Sequence, residues 1–181
     1  MAGRKSGEIR RLVYAAVCLA LCLTLPYLTG SIPQIGKSFA PMHLPVFLCG
    51  FIAGPVWGGI VGIVAPFLRF LIAGAPALYP QAVRMAAELG VYGVPAGLFY
   101  RYLPKKPLGI ITSLLCAQFF GRLAWGAAQF FISLVDPSNA FYLEMIVTQT
   151  VSNSLYGIVI QLVLIPPIVY TLQRKQLISR Y

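Results

Sequence analysis

The sequence predicts an all-α integral membrane protein: a compact bundle of six transmembrane helices in one domain, residues 1–181, with both termini in the cytoplasm. Three observations carry that expectation. Of 181 residues, 59% are hydrophobic and only 10% charged, with a mean hydropathy of +0.80, whereas a soluble domain carries about a quarter charged residues. Apolar runs at about 12–29, 44–54, 56–74, 81–101, 108–135 and 143–173 are separated by proline, glycine and polar stretches. The basic residues responsible for a net charge of +10 cluster at the ends of those runs. That placement follows the positive-inside rule. Nucleic-acid binding would need a basic patch interleaved with stacking aromatics in a soluble segment, and none is present.

The amino-terminal segment carries Arg4, Lys5, Arg10 and Arg11 against Glu8, and an apolar run follows. A basic start before an apolar run is also the pattern of a secretory signal, with Thr29, Gly30 and Ser31 as small residues for cleavage. The run exceeds a usual signal core and more membrane segments follow, which favours a retained first helix. Ala16 and Ala20 form a small-xxx-small pair on it, a spacing that lets another helix approach closely in lipid.

From Gly30 to Pro41 the chain reads as an amphipathic surface loop. His43, the one histidine, follows it at the membrane junction. With no second histidine to complete a metal site, it reads as an interfacial hydrogen-bonding residue. The run Met42 to Gly74 then reads as a hairpin of two helices turned at Gly54 and Pro55. Gly50, Gly54, Gly58, Gly59 and Gly62 offer flat surfaces for packing, and Pro66 implies a kink. Arg69, near the far end, either snorkels to the outer interface or turns inward toward a site.

A short loop, Gly74 to Pro80, leads to the fourth helix. There Arg84 and Glu88, four residues apart, share a face and can pair or share a ligand. RYLPKKP follows, with Arg101, Lys105 and Lys106 as the second basic cluster. On the fifth helix Gln118, Arg122, Trp125 and Gln129 recur at helical spacing and form one stripe. The sixth carries Gln149, Asn153 and Tyr156 on one face, and Arg174, Lys175 and Arg180 close the chain as the third basic cluster. Six crossings bring all three clusters to one side; five would separate the second from the third.

That topology puts Arg84, Glu88, Trp125, Gln129, Gln149 and Asn153 in the outer halves of the last three helices. Arg122 falls nearer the midplane. Charged groups in hydrocarbon cost on the order of 3 kcal/mol each, so they should face one another or a wet cavity. The expected arrangement is an outward-open pocket of the last three helices, roofed by the loops at Gly30 to Pro41 and Ala75 to Pro80. Alternatively, Arg84 and Glu88 merely neutralise each other and the amides bridge helices. Three arginines against one glutamate leave positive charge over, which an anionic or strongly polar ligand would balance. Trp125, Tyr92 and Tyr156 can stack on or enclose a small ring or chain.

The run PMHLPVFLCGFIAGPVWGGIVGIVAPFLRFLIAG, a short proline-rich loop and a helix of the type AVRMAAELGVYG resemble the substrate-binding S components of energy-coupling factor (ECF) vitamin transporters. The resemblance spans the first helix to at least Trp125. It implies a prokaryotic plasma-membrane protein that binds a vitamin or precursor from outside. Such a protein docks on a module of one transmembrane coupling subunit and two ATPases, and topples in the membrane to release its ligand. It further implies that Ala16 and Ala20 face the coupling subunit, and that the ligand site draws on the first and third outer loops and the last three helices. Pantothenate fits the charge argument; pyridoxine-type and hydroxymethylpyrimidine-type ligands fit the aromatic one. The reading leans to pantothenate.

No GxxxxGK[ST] loop is present, so ATP would be used by partner subunits, and no cofactor is expected. Nor is there a catalytic set or a metal cluster. The four cysteines, Cys18, Cys22, Cys49 and Cys116, read as small buried thiols. The rivals are a membrane-embedded enzyme using Arg122, Glu88 and His43, which must then approach one another, and a self-sufficient secondary transporter. The latter should carry inverted repeats, which the sequence does not display.

Overall fold

The structure, a computed structural model, describes residues 2–29, 41–104, 106–140, 142, 144 and 155–175. Among those residues it is built of helices joined by turns, with no strand. Six α-helices follow in order: α1 (Ala2–Thr29), α2 (His43–Ala53), α3 (Pro55–Ala73), α4 (Val83–Tyr102), α5 (Pro107–Val135) and α6 (Leu155–Arg174). Four of them, at Gly7–Leu28, Pro55–Ala73, Pro107–Val135 and Gly157–Arg174, are long and apolar enough to cross a bilayer. The chain is therefore a multi-pass membrane protein. At 20 residues α4 also has the length, but it carries Arg84 and Glu88. With 11 residues α2 spans about 16 Å, roughly half the hydrocarbon thickness. Nearly all of it is buried among its neighbours.

The helix boundaries follow local chemistry. The helix α1 begins ten residues before the apolar run, because the polar segment ahead of that run is made mostly of helix-tolerant residues. Its length of about 42 Å exceeds the roughly 30 Å apolar core of a bilayer, so its basic first turns extend past the membrane interior. Gly54 joins α2 to α3 at φ 102° and ψ 172°. A side chain resists that φ, and Pro55 favours that ψ in the residue before it. Pro55 then opens α3, where its missing N–H costs no helical bond. Gly74 ends α3 in the left-handed region at φ 67°, donating its N–H to Phe70 O at 2.8 Å. A kinked turn, Leu78–Ala82, leads into α4. That helix stops at Leu103, which is extended ahead of Pro104.

Helices α2, α3 and α4 pack backbone to backbone. A Cβ built at Gly50 would lie 2.5 Å from Gly93 O; one at Gly58 would lie 2.7 Å from Gly50 Cα and 2.8 Å from Gly93 O. Only hydrogen fits there, so the glycines set the separation of the three helices. The first helix lies against α2 and α3, and α6 against α5 and α2. On α1, Ala15, Cys18 and Cys22 face the core, whereas Ala16 and Ala20 are exposed on the opposite side.

Successive helices alternate in direction, which sorts the chain into two ends. Cys22 Sγ contacts Met42 O, so the end of α1 meets the start of α2. Gln173 Nε2 donates to Tyr100 OH, bringing the ends of α4 and α6 together. One end of the bundle thus gathers the basic start of α1, the Gly54 turn, Arg101 and Lys106, and Arg174 and Lys175. The other end gathers His43, Gly74, Arg84, Gln129 and the turn Pro137–Asn139.

Candidate functional site

At the less basic end, α4 and α5 run antiparallel and bring two polar clusters together. The deeper one centres on Glu88, which is 3% exposed. Its Oε1 accepts from Arg122 Nη1 at 2.6 Å and from Tyr92 OH at 2.8 Å. Its Oε2 lies 3.8 Å from His43 Nε2, at the start of α2. A buried ion pair of this kind is tolerated only because the carboxylate's other lone pairs are also engaged. Tyr92 is fixed in turn: its ring lies 4.8 Å from that of Phe47 and 5.3 Å from that of His43, and Gly121 makes room for it on α5.

The second cluster lies one turn nearer the end. Arg84 Nη1 donates to Gln129 Oε1 at 2.5 Å, and the guanidinium lies 5.9 Å from the Trp125 ring centroid, within reach of its π face. Gln129 Nε2 donates to Asn139 O at 2.9 Å. That bond assigns the amide: the nitrogen points at a carbonyl and the oxygen at Arg84. Asn139 Nδ2 continues the chain to Asp136 Oδ2 at 2.8 Å, while Asp136 Oδ1 accepts from the amide and hydroxyl of Ser138. These bonds from Ser138 and Asn139 hold the Asp136 carboxyl below its usual range.

Several expectations change against this geometry. Arg84 and Glu88 share a helix yet do not pair: Glu88 turns to α5 and α2, and Arg84 to Gln129. Tyr92 is 1% exposed and donates its hydroxyl to Glu88. Arg69 does not join the clusters. It donates to Leu23 O at 3.3 Å and lies over Tyr27, beside the point where Pro26 interrupts the α1 ladder. Gln118 faces inward with the expected stripe but pairs with Gln161 across α5 and α6 at 3.1 Å, a helix bridge. Arg122, Trp125 and Gln129 line the two clusters together with Arg84 and Glu88. Gln149 and Asn153, the Tyr156 side chain and the loop Gly30 to Ala40 lie outside the described residues.

Two participants were not assigned to the site from sequence. His43 has its Glu88 partner on a helix some forty residues away, so no local spacing signals it. Asn139 contributes a main-chain carbonyl, which no residue pattern can announce. His43 Nδ1 and Arg122 Nε are buried with no hydrogen-bond partner among the described residues. Such atoms cost about 1–3 kcal/mol each when left unmatched. Among the described residues no group of three or more histidine, cysteine or acidic side chains is arranged to hold a metal.

The fold and its polar end define a class: a small helical membrane protein with an ionisable cluster buried toward one end. The family model of the ECF transporter substrate-specific component matches residues 10–169, and the chain belongs to that family. No curated protein matches the sequence individually. As a member it is an uptake subunit of the vitamin-transport type, which implies association with ECF transmembrane and ATPase subunits and a small-molecule substrate.

Proposed function

We propose that this chain is the high-affinity binding subunit for a small water-soluble vitamin or precursor in the plasma membrane of a prokaryote, with both termini cytoplasmic. The observation that carries the reading is membership of the substrate-specific component family over residues 10–169. The gathering of the basic segments at one end supports the orientation, because positively charged ends stay in the cytoplasm. The polar clusters then lie toward the outside, where ligand enters between α4, α5 and α6 near Arg84, Glu88, Arg122, Trp125 and Gln129. Gln149, Asn153 and Tyr156 complete the proposed site, and Tyr92 supports it from behind. Pantothenate remains the preferred ligand over pyridoxine-type and hydroxymethylpyrimidine-type molecules.

Delivery requires the transmembrane coupling subunit and two ATPases, which supply the nucleotide chemistry. The exposed faces of Ala16 and Ala20 support docking through α1, since small residues let a partner helix approach to backbone distance. Co-expression with an ECF module should yield a four-subunit complex that takes up labelled vitamin into liposomes only with ATP. Uptake without the module would overturn the reading in favour of a self-sufficient transporter.

The 3.8 Å approach of His43 to Glu88 is also the geometry that a membrane-embedded enzyme would need. On the transport reading, purified protein incubated with lipids and head-group analogues turns over none of them. Product formation that is lost in His43→Ala would favour the enzyme.

A further inference from the structure

The two clusters differ in charge balance. The chain has four acidic side chains, Glu8, Glu88, Asp136 and Glu144, and all lie among the described residues. Glu88 pairs with Arg122. Asp136 is turned into its own loop by Ser138 and Asn139. Glu8 sits at the far end of the bundle, and Glu144 is exposed beyond the turn. None forms an ion pair with Arg84, whose hydrogen-bond partner is the neutral amide of Gln129. Arg84 is not an arginine stretched toward water: it is half-buried and aimed at Gln129 and Trp125, which are 1% and 7% exposed. A guanidinium has five donors in a flat fork. One is held by Gln129, so the fork is oriented while an edge stays available for a two-oxygen acceptor.

We infer that Arg84, oriented by Gln129 and backed by Trp125, receives the single anionic group, a carboxylate, of the transported molecule, and that Arg122 is a framework residue neutralised by Glu88. The inference rests on the transport reading above and narrows its substrate to monoanions. One unpaired guanidinium matches one negative charge. A dicarboxylate or phosphate would bring surplus negative charge into a site whose other arginine is already paired.

The test uses two molecules that share a skeleton: pantothenate and panthenol, in which the carboxylate is replaced by a primary alcohol. Binding to the full chain in detergent is followed by calorimetry. Molecules carried through purification are identified in parallel by mass spectrometry. Wild type should bind pantothenate, or retain another monocarboxylic acid, at least 100-fold more tightly than its uncharged analogue. Arg84→Gln should abolish that preference, and Arg84→Lys should keep part of it. Gln129→Glu is the sharper variant, since it gives Arg84 an internal counter-ion. The variant also gives up the Gln129 bond to Asn139 O, so the fold control is the alcohol. Affinity for the acid should fall at least 100-fold while affinity for panthenol stays as in wild type, an outcome that loss of fold cannot mimic.

Equal affinity for acid and alcohol in wild type, or full affinity for the acid in Gln129→Glu, overturns the inference. So does a neutral or doubly charged molecule retained equally by wild type and Arg84→Gln, and that result leaves the transport reading standing. Failure to bind or retain any small molecule, together with failure to assemble with an ECF module, overturns the transport reading and this inference with it.

Discussion

The two faces of α4 are built on opposite principles. Toward α2 and α3 it presents Gly90, Gly93 and Gly97 and packs main chain against main chain. Toward α5 and the start of α2 it presents Arg84 and Glu88 and packs through hydrogen bonds of 2.5–2.6 Å. In lipid the hydrophobic effect does not drive helices together, because the tails are as apolar as the side chains. Close van der Waals contact therefore joins the first face, and matched polar groups join the second. The difference teaches where function can reside. A face held by backbone contact tolerates no added atom and no ligand, whereas a face held by polar side chains can exchange one partner for another.

The largest effect should come from the glycine face. A side chain at Gly93 would overlap the Gly58 main chain, so Gly93→Leu must separate α3 from α4, at a cost above the usual 1–3 kcal/mol of overpacking. Loss of a monodisperse folded species on size exclusion is the expected result. Normal folding would break the comparison at its first term.

Next is the buried pair. Glu88→Gln leaves Arg122 unmatched and should destabilise the fold by about 3–5 kcal/mol, the range for breaking a buried ion pair. Glu88→Gln combined with Arg122→Gln should recover much of that, as a double-mutant cycle of thermal unfolding would reveal. If the double variant is no better than the single one, Glu88 and Arg122 do not act as a unit. Arg122→Ala should therefore lower binding through lost stability. Arg84→Ala should lower binding with a smaller stability loss, about 1–3 kcal/mol, the cost of leaving the buried Gln129 oxygen unmatched. Equal stability losses in the two variants would erase the distinction between framework and receptor.

The smallest effect on the fold should come from α1. Ala16 and Ala20 are exposed, so Ala16→Trp and Ala20→Trp should shift stability by no more than about 0.5 kcal/mol. Both should still bind ligand and fail to capture the coupling subunit in a pull-down. Loss of ligand binding as well would assign this face to the bundle itself.

Much of the architecture is legible in the chain because it follows from composition and local chemistry. Hydropathy marks the bilayer as the solvent, Gly54 with Pro55 marks a turn, and Gly74 marks a helix end. The stripe of Gln118, Arg122, Trp125 and Gln129 predicts an inward face on α5, and its buried members, Gln118, Trp125 and Gln129, confirm the direction. Partner choice is not legible in the same way. Spacing allowed Arg84 to meet Glu88, yet the antiparallel register of α4 and α5 sets Arg122 against Glu88 and Gln129 against Arg84. Arg69, open to two readings from its depth alone, stays apart from the clusters and donates to a carbonyl of α1.

The sequence by itself determined the all-helical membrane class, the hairpin and the distribution of charge, because solvent preference and backbone chemistry act locally and need no partner. Only the tertiary structure decided which arginine is neutralised, that His43 reaches Glu88, and that Tyr92 is buried with its hydroxyl on Glu88. Those outcomes depend on the glycine-set separation of α2, α3 and α4 and on the register of α4 against α5. In a low-dielectric bundle a charge pairs with whatever group that geometry brings within reach.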